Sequence, residues 1–240
     1  MALPKQNAPI YTAIIPSSKK EIKFRPFLVK EEKALLIAQQ SKEPEVMVDT
    51  LKGIIKGCVQ NDLDADKLAL FDIEYLFCQI RAKSVGEIVD MTVMCDICPE
   101  DNQKARIKLT FDLTKLTVSF PEGHTNKIQL FDDVGIIMKY PTLSLIKELE
   151  NLENASTESV FRVIMKMIDS VYDSEQIYSA KEQSEKELMD FLENLTQEQF
   201  KKIQNFFVTM PKLSKTVTYN CPVCNHHHEK VVEGLSSFFQ

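Results

Sequence analysis

Two Cys-x-x-Cys pairs constrain the fold of this chain more than any other feature of its sequence. Cys95 and Cys98 lie in CDIC, and Cys221 and Cys224 lie in CPVC. Runs that alternate between apolar and polar residues flank each pair, which is typical of two strands joined by a hairpin tip. The two-residue spacing turns both sulfurs of a pair to one side, so two such tips can offer one metal ion a closed shell of four thiolates.

The distance between the pairs along the chain predicts a split zinc ribbon. Roughly 120 residues separate them, far more than the about 15 to 20 found in a compact ribbon. A single structural zinc ion would therefore join the middle of the chain to its end. Iron or an iron–sulfur cluster is the less favoured cofactor, because four thiolates alone do not identify the metal. Two disulfides or two unrelated thiol pairs are the remaining alternatives.

The residues that follow each pair predict that the two tips differ. A positive φ is favoured after the second cysteine of such a turn, and Asn225 tolerates that conformation. Pro99 occupies the equivalent place in the first tip, where it can neither adopt a positive φ nor donate an N–H to a sulfur. We expect the first tip to be wider or less regular than the second.

Three consecutive histidines, His226 to His228, follow the second pair. Side chains alternate between the faces of a strand, so all three cannot reach one ion, and we expect a strand start with some contact to the site. The order of histidines and cysteines differs from that of zinc deaminases, and no phosphate loop or nucleophile elbow occurs. A closed four-sulfur shell leaves no position for a reactive water. We expect no enzymatic activity and no small-molecule substrate.

Periodicity elsewhere predicts an α+β fold of helical segments and antiparallel β-hairpins. Two short strands and three amphipathic helices are expected in an N-terminal domain, 1–85. Segments 86–141 and 211–240 carry the cysteine hairpins and would form the split zinc-ribbon β domain. The pattern of segment 142–210 indicates a helical insertion between the two Cys pairs.

Composition excludes several classes of protein. Acidic residues outnumber basic ones, 35 to 29, and no long basic run occurs, so we do not expect nucleic acid to be the main partner. No stretch of about 18 apolar residues predicts a membrane span, and the first residues lack the apolar core of a signal peptide. In the reducing cytosol that this implies, paired cysteines favour metal binding over disulfides.

Three stretches together resemble a known family: KFRPFLVKEEKALLIAQQS, FDIEYLFCQIRAKSVGE and YNCPVCNHHHEKVVEGLSSFF. They are similar to the baseplate hub proteins of T-even-type, contractile-tailed bacteriophages, a family that includes a hub subunit and a related hub assembly factor. The resemblance covers most of the chain and is weakest in the middle helical segment.

The resemblance implies a structural component of the virion tail baseplate in the hub region. Such a protein would be made and assembled in the cytoplasm of the bacterial host and would act by binding other baseplate and tail proteins. A transient hub assembly factor that does not stay in the virion is the first alternative. A zinc-ribbon nucleic-acid-binding protein is the alternative from another class.

Two groups of residues are candidates for partner binding. Arg25 and Phe27 belong to a string that matches the family, although they could simply open a solvated first helical turn. The apolar residues of the last segment, LSSFFQ, have helical spacing and could either meet a partner or fold back on the chain's own core. The residues of this second group are Leu235, Phe238 and Phe239.

Overall fold

A computed structural model of the 240-residue chain describes residues 8–41, 43–99, 102–145 and 157–234. The chain divides into two compact units. We name Met1–Ser119 with Lys212–Gln240 the cysteine unit, and Phe120–Pro211 the inserted unit. The sequence-based division into 1–85, 86–141 with 211–240, and 142–210 draws its boundaries elsewhere and stays a prediction.

The cysteine unit begins with the two short strands that the sequence predicted. β1 (Tyr11–Ile14) and β2 (Glu21–Phe24) form an antiparallel hairpin. Ile22 is fully buried on the inner face of β2, whereas its neighbours on either side in the chain are exposed. Alternate burial of this kind explains why these residues form a strand.

Three helices follow at the positions that the apolar spacing predicted. They are α1 (Val29–Ser41), α2 (Pro44–Cys58) and α3 (Leu70–Ser84). Burial raises the pKa of the Cys58 thiol to about 11 and that of the Cys78 thiol to about 12. These two thiols therefore stay protonated at neutral pH and act as small apolar groups of the core.

The first cysteine pair lies at the end of a second hairpin, also as predicted. β3 (Ile88–Met94) pairs antiparallel with β4 (Arg106–Asp112). A short strand, β5 (Thr117–Ser119), comes next and ends the first part of the cysteine unit.

The inserted unit is a four-stranded antiparallel sheet with helices. The sheet has the order β6-β7-β8-β9, so each strand pairs with the next one along the chain. Buried apolar side chains from both the sheet and the helices form one core, which includes Ile136, Ile168, Leu192 and Ile203. The elements are β6 (Lys127–Phe131), β7 (Val134–Met138), α4 (Thr157–Met167), β8 (Ile168–Tyr172), β9 (Ile177–Ser179), α5 (Glu185–Glu193) and α6 (Gln197–Val208).

The pattern of segment 142–210 indicated a helical insertion, but β8 and β9 also lie within it, beside α4, α5 and α6. Ile168, Ser170 and Tyr172 are buried while Asp169 between the first two is exposed, which is the alternation of a strand. Five residues are too few for this period to stand out beside the strongly amphipathic α4 that precedes them. Pairing with β7, which is distant in the chain, determines the strand conformation.

The last two strands return the chain to the cysteine unit. β10 (Lys212–Asn220) and β11 (His227–Glu233) form an antiparallel hairpin, and β10 also pairs with β5. The three-stranded sheet therefore has the order β11-β10-β5. A buried cluster joins residues from α3, from both cysteine hairpins and from the segment before β5: Cys78, Ala82, Val89, Phe111, Leu113, Leu116, Leu213 and Val232.

Candidate metal centre

The structure brings the four cysteines of the two hairpin tips into one cluster. Their sulfur atoms all lie within 4.8 Å of one another. The sulfurs of Cys95 and Cys224 are 3.7 Å apart, and so are those of Cys98 and Cys221. A zinc ion with sulfur ligands at about 2.3 Å requires tetrahedron edges of about 3.8 Å, whereas a disulfide would bring two sulfurs to about 2.05 Å. The four sulfurs are free thiols, close enough together to hold a metal ion.

The first tip ends in a short 3₁₀ helix, Gln103–Ala105. The backbone N–H of Cys95 donates to the carbonyl oxygen of Ala105 at 3.1 Å, which closes the turn next to the β3–β4 ladder. Asn102 caps the 3₁₀ helix, because its side chain accepts a hydrogen bond from the N–H of Lys104 at 3.1 Å. Cys95 and Ala105 are both buried, so the base of this turn is firmly packed.

The second tip is a tight turn. The N–H of Cys221 donates to the carbonyl oxygen of His226 at 2.9 Å, and the N–H of Asn225 donates to the carbonyl oxygen of Cys221 at 2.9 Å. Asn225 has a φ of 57°, as expected for this position, and the N–H of Val223 lies 3.4 Å from the sulfur of Cys221. Fewer residues close this tip than the first, so the predicted difference between the two tips is confirmed.

The four cysteines differ in their exposure to solvent. Cys95 and Cys221 are buried, Cys98 is half-buried and Cys224 is exposed. Ala105 and Ile107 cover the inner side, where they pack with the two buried cysteines. A metal ion would therefore enter, and a chelator would attack, past Cys224.

The thiols of the cluster differ in acidity. Loss of contact with water, reinforced by the neighbouring sulfurs, raises the pKa of the Cys98 thiol to about 12. The backbone N–H of Cys224, helped by that of Val223, lowers the pKa of the Cys221 thiol to about 6. Negative charges on four close sulfurs repel one another, so they can all ionise near neutral pH only around a cation.

Among the three histidines, His228 contacts a sulfur of the cluster with its side chain. The Nε2 atom of His228 lies 3.2 Å from the sulfur of Cys95, and its ring stacks on Tyr219 with centroids 5.0 Å apart. His228 is buried, whereas His227 and Glu229 on either side are exposed, so the alternation predicted for this stretch is confirmed. The Nδ1 atom of His227 instead lies 2.8 Å from the side-chain oxygen of Asn220. The sequence predicted some contact with the site but did not identify which histidine makes it. The register of β11 against β10 would have identified His228.

An ion pair joins the two hairpins beside the cluster. The Nζ atom of Lys230 on β11 lies 2.7 Å from a carboxylate oxygen of Asp96, which lies between the cysteines of the first tip. This interaction raises the pKa of Lys230 and lowers that of Asp96. Both side chains remain accessible to solvent, so the pair contributes modestly to stability. Nothing in the sequence pointed to this pairing.

The structure places the candidate partner-binding residues as follows. The Nη2 atom of Arg25 donates to Glu31 Oε1 at 2.8 Å, and Phe27 is buried. Both residues thus contribute to the fold of the cysteine unit, and their contact with a partner stays a prediction. Leu235, Phe238 and Phe239 lie outside the described residues.

Residues 8–240 of the chain match a model of a bacteriophage tail protein family, the one described as T4 bacteriophage base plate protein. The chain therefore belongs to this family of phage baseplate proteins. Membership implies a place in the tail baseplate of the virion and binding to other phage proteins. Neither curated protein sequences nor solved structures gave a significant match. In the described part of the chain, no helix combines the length and apolar character that crossing a bilayer requires.

Proposed function

We propose that this protein is a structural component of the hub region of a contractile-tail baseplate and acts by binding neighbouring tail proteins during assembly. The single observation that carries the proposal is the match of residues 8–240 to the baseplate family. Synthesis and assembly would take place in the host cytoplasm.

Within this role, the cluster of Cys95, Cys98, Cys221 and Cys224 would bind one structural zinc ion as a split zinc ribbon. Sulfur–sulfur distances of 3.7 Å support a single tetrahedral ion. An iron–sulfur cluster attaches its cysteines to different irons and needs more widely spaced sulfurs, so it is the weaker candidate. The ribbon would be built from the two cysteine hairpins, β3–β4 and β10–β11, with the inserted unit between them along the chain.

The proposed role is not catalytic. Four protein sulfurs would complete the shell of the ion, so no coordination position would remain for a water or a substrate. The bound ion would instead stabilise the folded state, because the two tips that provide its ligands are separated in the unfolded chain by roughly 120 residues.

The test is to follow the protein through infection. Purified virions and baseplate intermediates are analysed by quantitative mass spectrometry, and infectious yield is measured for a phage that lacks this protein. A structural component is retained in virions in a fixed ratio to other baseplate proteins. Presence in intermediates and absence from virions would show a transient assembly factor, and absence from both would reject the proposal.

The metal is tested separately on untagged protein. We expect about one zinc per chain by elemental analysis and loss of that zinc in Cys224→Ser, because removing one of four sulfurs opens the shell. Val223→Ser changes an exposed neighbour in the same tip and should leave the zinc content unchanged. Iron in place of zinc, or zinc content that does not respond to Cys224→Ser, would contradict the proposed site.

A further inference from the structure

α1 is unusual because its apolar residues face solvent. Only Glu31 and Ala38 of this helix are buried. Val29 is 80% exposed, and Leu36 and Ile37 are each 54% exposed. Water-exposed side chains of this size are normal when scattered, but a continuous group on one face marks a contact surface.

These side chains form such a group. Val29, Lys33, Leu36 and Ile37 are spaced at i, i+4, i+7 and i+8, so they lie along one face of the helix. Ala38 lies on the opposite face, which packs against the unit. We name the four residues the outer face of α1.

The orientation of this face is held by a buried carboxylate. Glu31 accepts a hydrogen bond from the Nη2 atom of Arg25 at 2.8 Å, and its other oxygen accepts one from the backbone N–H of Leu28 at 2.7 Å. The Nη1 atom of Arg25 also donates to the carbonyl oxygen of Pro26 at 2.9 Å. Breaking this network would leave a buried charge without partners, so the start of α1 is fixed and its outer face stays turned to solvent.

We propose that the outer face of α1 binds an amphipathic helix of another baseplate protein, one whose apolar side carries a carboxylate opposite Lys33. This inference rests on the proposed function and adds the surface and the chemistry of the partner. Val29, Leu36 and Ile37 supply apolar contacts of the kind that helix-in-groove and helix-on-helix recognition uses.

The charge of Lys33 selects this partner over a second copy of the chain. Lys33 lies at the centre of the outer face, so two α1 helices packed antiparallel through that face would bring Lys33 against Lys33. Like charges in a desolvated contact oppose association. Within the described ranges no ion pair engages Lys33, whereas Lys30 at the rim lies 3.4 Å from Glu31. A partner carboxylate would therefore meet an ammonium group that is available.

The experiment places a photocrosslinking amino acid at Leu36 in the full chain, supplied to cells infected by a phage that lacks the protein. Crosslinked peptides are identified by mass spectrometry. The expected product joins position 36 to an apolar helical segment of a different tail protein that carries an Asp or Glu. Replacing that acidic residue by Lys should lower incorporation, and Lys33→Glu should restore it.

The double variant Leu36→Asp/Ile37→Asp is expected to reduce incorporation into baseplates by about tenfold or more, as truncation of a binding hot spot does. Its melting temperature should match that of the unchanged chain, because both residues are exposed. The matched control is Val208→Asp at the end of α6, since Val208 is 77% exposed and apolar but lies outside α1. The control should be incorporated normally.

Three results would overturn the inference. They are a crosslink only to another copy of the chain, a crosslink only to residues 1–7 or 235–240 of the same chain, and normal incorporation of the double variant. In each case the unchanged protein would still be found in baseplates, so the proposed function would stand. Absence of the unchanged protein from virions and intermediates alike would instead reject the proposed function itself.

Discussion

The two units of this protein hold their folds together in different ways. The inserted unit has a core of Ile, Leu, Met and Phe side chains from one continuous stretch of chain. The cysteine unit is assembled from two distant stretches, and among the described residues around its hairpin tips the buried cluster consists of Cys95, Ala105 and Cys221. Because this cluster is small, it provides little hydrophobic stabilisation. Binding of a metal ion by the four sulfurs would therefore be needed to keep the two tips together.

Removing the metal should have the largest effect on stability. We expect it to destabilise the cysteine unit and to leave the inserted unit folded. Cys98→Ser, or treatment with a strong chelator, is expected to destabilise the cysteine unit by several kcal/mol, since zinc contributes on the order of 10 kcal/mol in small zinc domains. Hydrogen exchange read by mass spectrometry should show lost protection in β3, β4, β10 and β11, with α5 and α6 still protected. Equal loss in both units would mean that the inserted unit also depends on the metal.

Creating a cavity in the inserted unit should have the next largest effect on stability. We expect it to destabilise the inserted unit and to leave the metal site of the cysteine unit intact. Ile203 is fully buried in that core, so Ile203→Ala is expected to cost about 2 to 5 kcal/mol in the free energy of unfolding. Denaturant unfolding measures the loss, and elemental analysis should still find about one zinc per chain. Val208→Ala, at an exposed site, is the control. Loss of zinc in Ile203→Ala would contradict the independence of the two units.

The third largest effect is expected at the polar network at the start of α1, which stabilises the cysteine unit away from the four clustered cysteines. Arg25→Ala is expected to cost about 2 kcal/mol, because the buried carboxylate of Glu31 loses the nearer and less exposed of its two charged partners, Arg25 and Lys30. Denaturant unfolding measures this loss. Lys33→Ala on the exposed side of the same helix should cost much less. Equal effects of the two substitutions would show that the Arg25–Glu31 pair does not stabilise the unit.

The same pair gives the cysteine unit a pH dependence. Burial alone would raise the pKa of Glu31, but hydrogen bonds from Arg25 and from the Leu28 N–H outweigh it and lower that pKa. Because the pKa is lower in the folded state, the stabilisation is present above the unfolded pKa of about 4.3 and is lost as pH falls through the folded pKa. Unfolding measured from pH 6 to pH 3 should show a smaller decline in Glu31→Gln. An unchanged decline would assign the acid sensitivity to other groups.

The smallest expected effect is that of the histidine beside the sulfurs. If His228 donates its Nε2 hydrogen to the thiolate of Cys95, His228→Ala should speed zinc release to a chromophoric chelator by about tenfold, as losses around metal ligands do. Substitution with cobalt provides a second measurement, since the sulfur-to-cobalt charge-transfer band should shift. His227→Ala is the matched control, because its ring contacts Asn220. Equal release rates in both variants would show that the contact does not influence the metal.

Much of the candidate site could be predicted from the amino-acid sequence. The spacing within the Cys pairs and the alternating runs around them indicated two hairpin tips that meet, and Asn225 after the second pair indicated a tight turn. His228 was not identified, because choosing one histidine of three requires the register of β11 against β10. The ion pair between Lys230 and Asp96 could not be anticipated either, since it joins residues 134 positions apart.

Some elements of the fold could likewise be predicted from the sequence, and others could not. The three helices of the cysteine unit and both cysteine hairpins follow from local periodicity, whereas β8 was missed because its conformation depends on pairing with β7. α1 is the clearest case: the sequence predicted an amphipathic helix, and most of its apolar side chains turned out to face solvent. Only the burial of Glu31 and Ala38 establishes which side of this helix faces inward.

The sequence by itself determined the set of sulfur donors, the turns that present them and the positions of most helices, because spacing and backbone preferences act over a few residues. Tertiary structure alone decided that His228 joins the four sulfurs and that α1 exposes an apolar face. Those features depend on contacts between residues far apart in the chain. Their free energy comes from burial and hydrogen bonding in the assembled fold, which no short stretch of sequence contains.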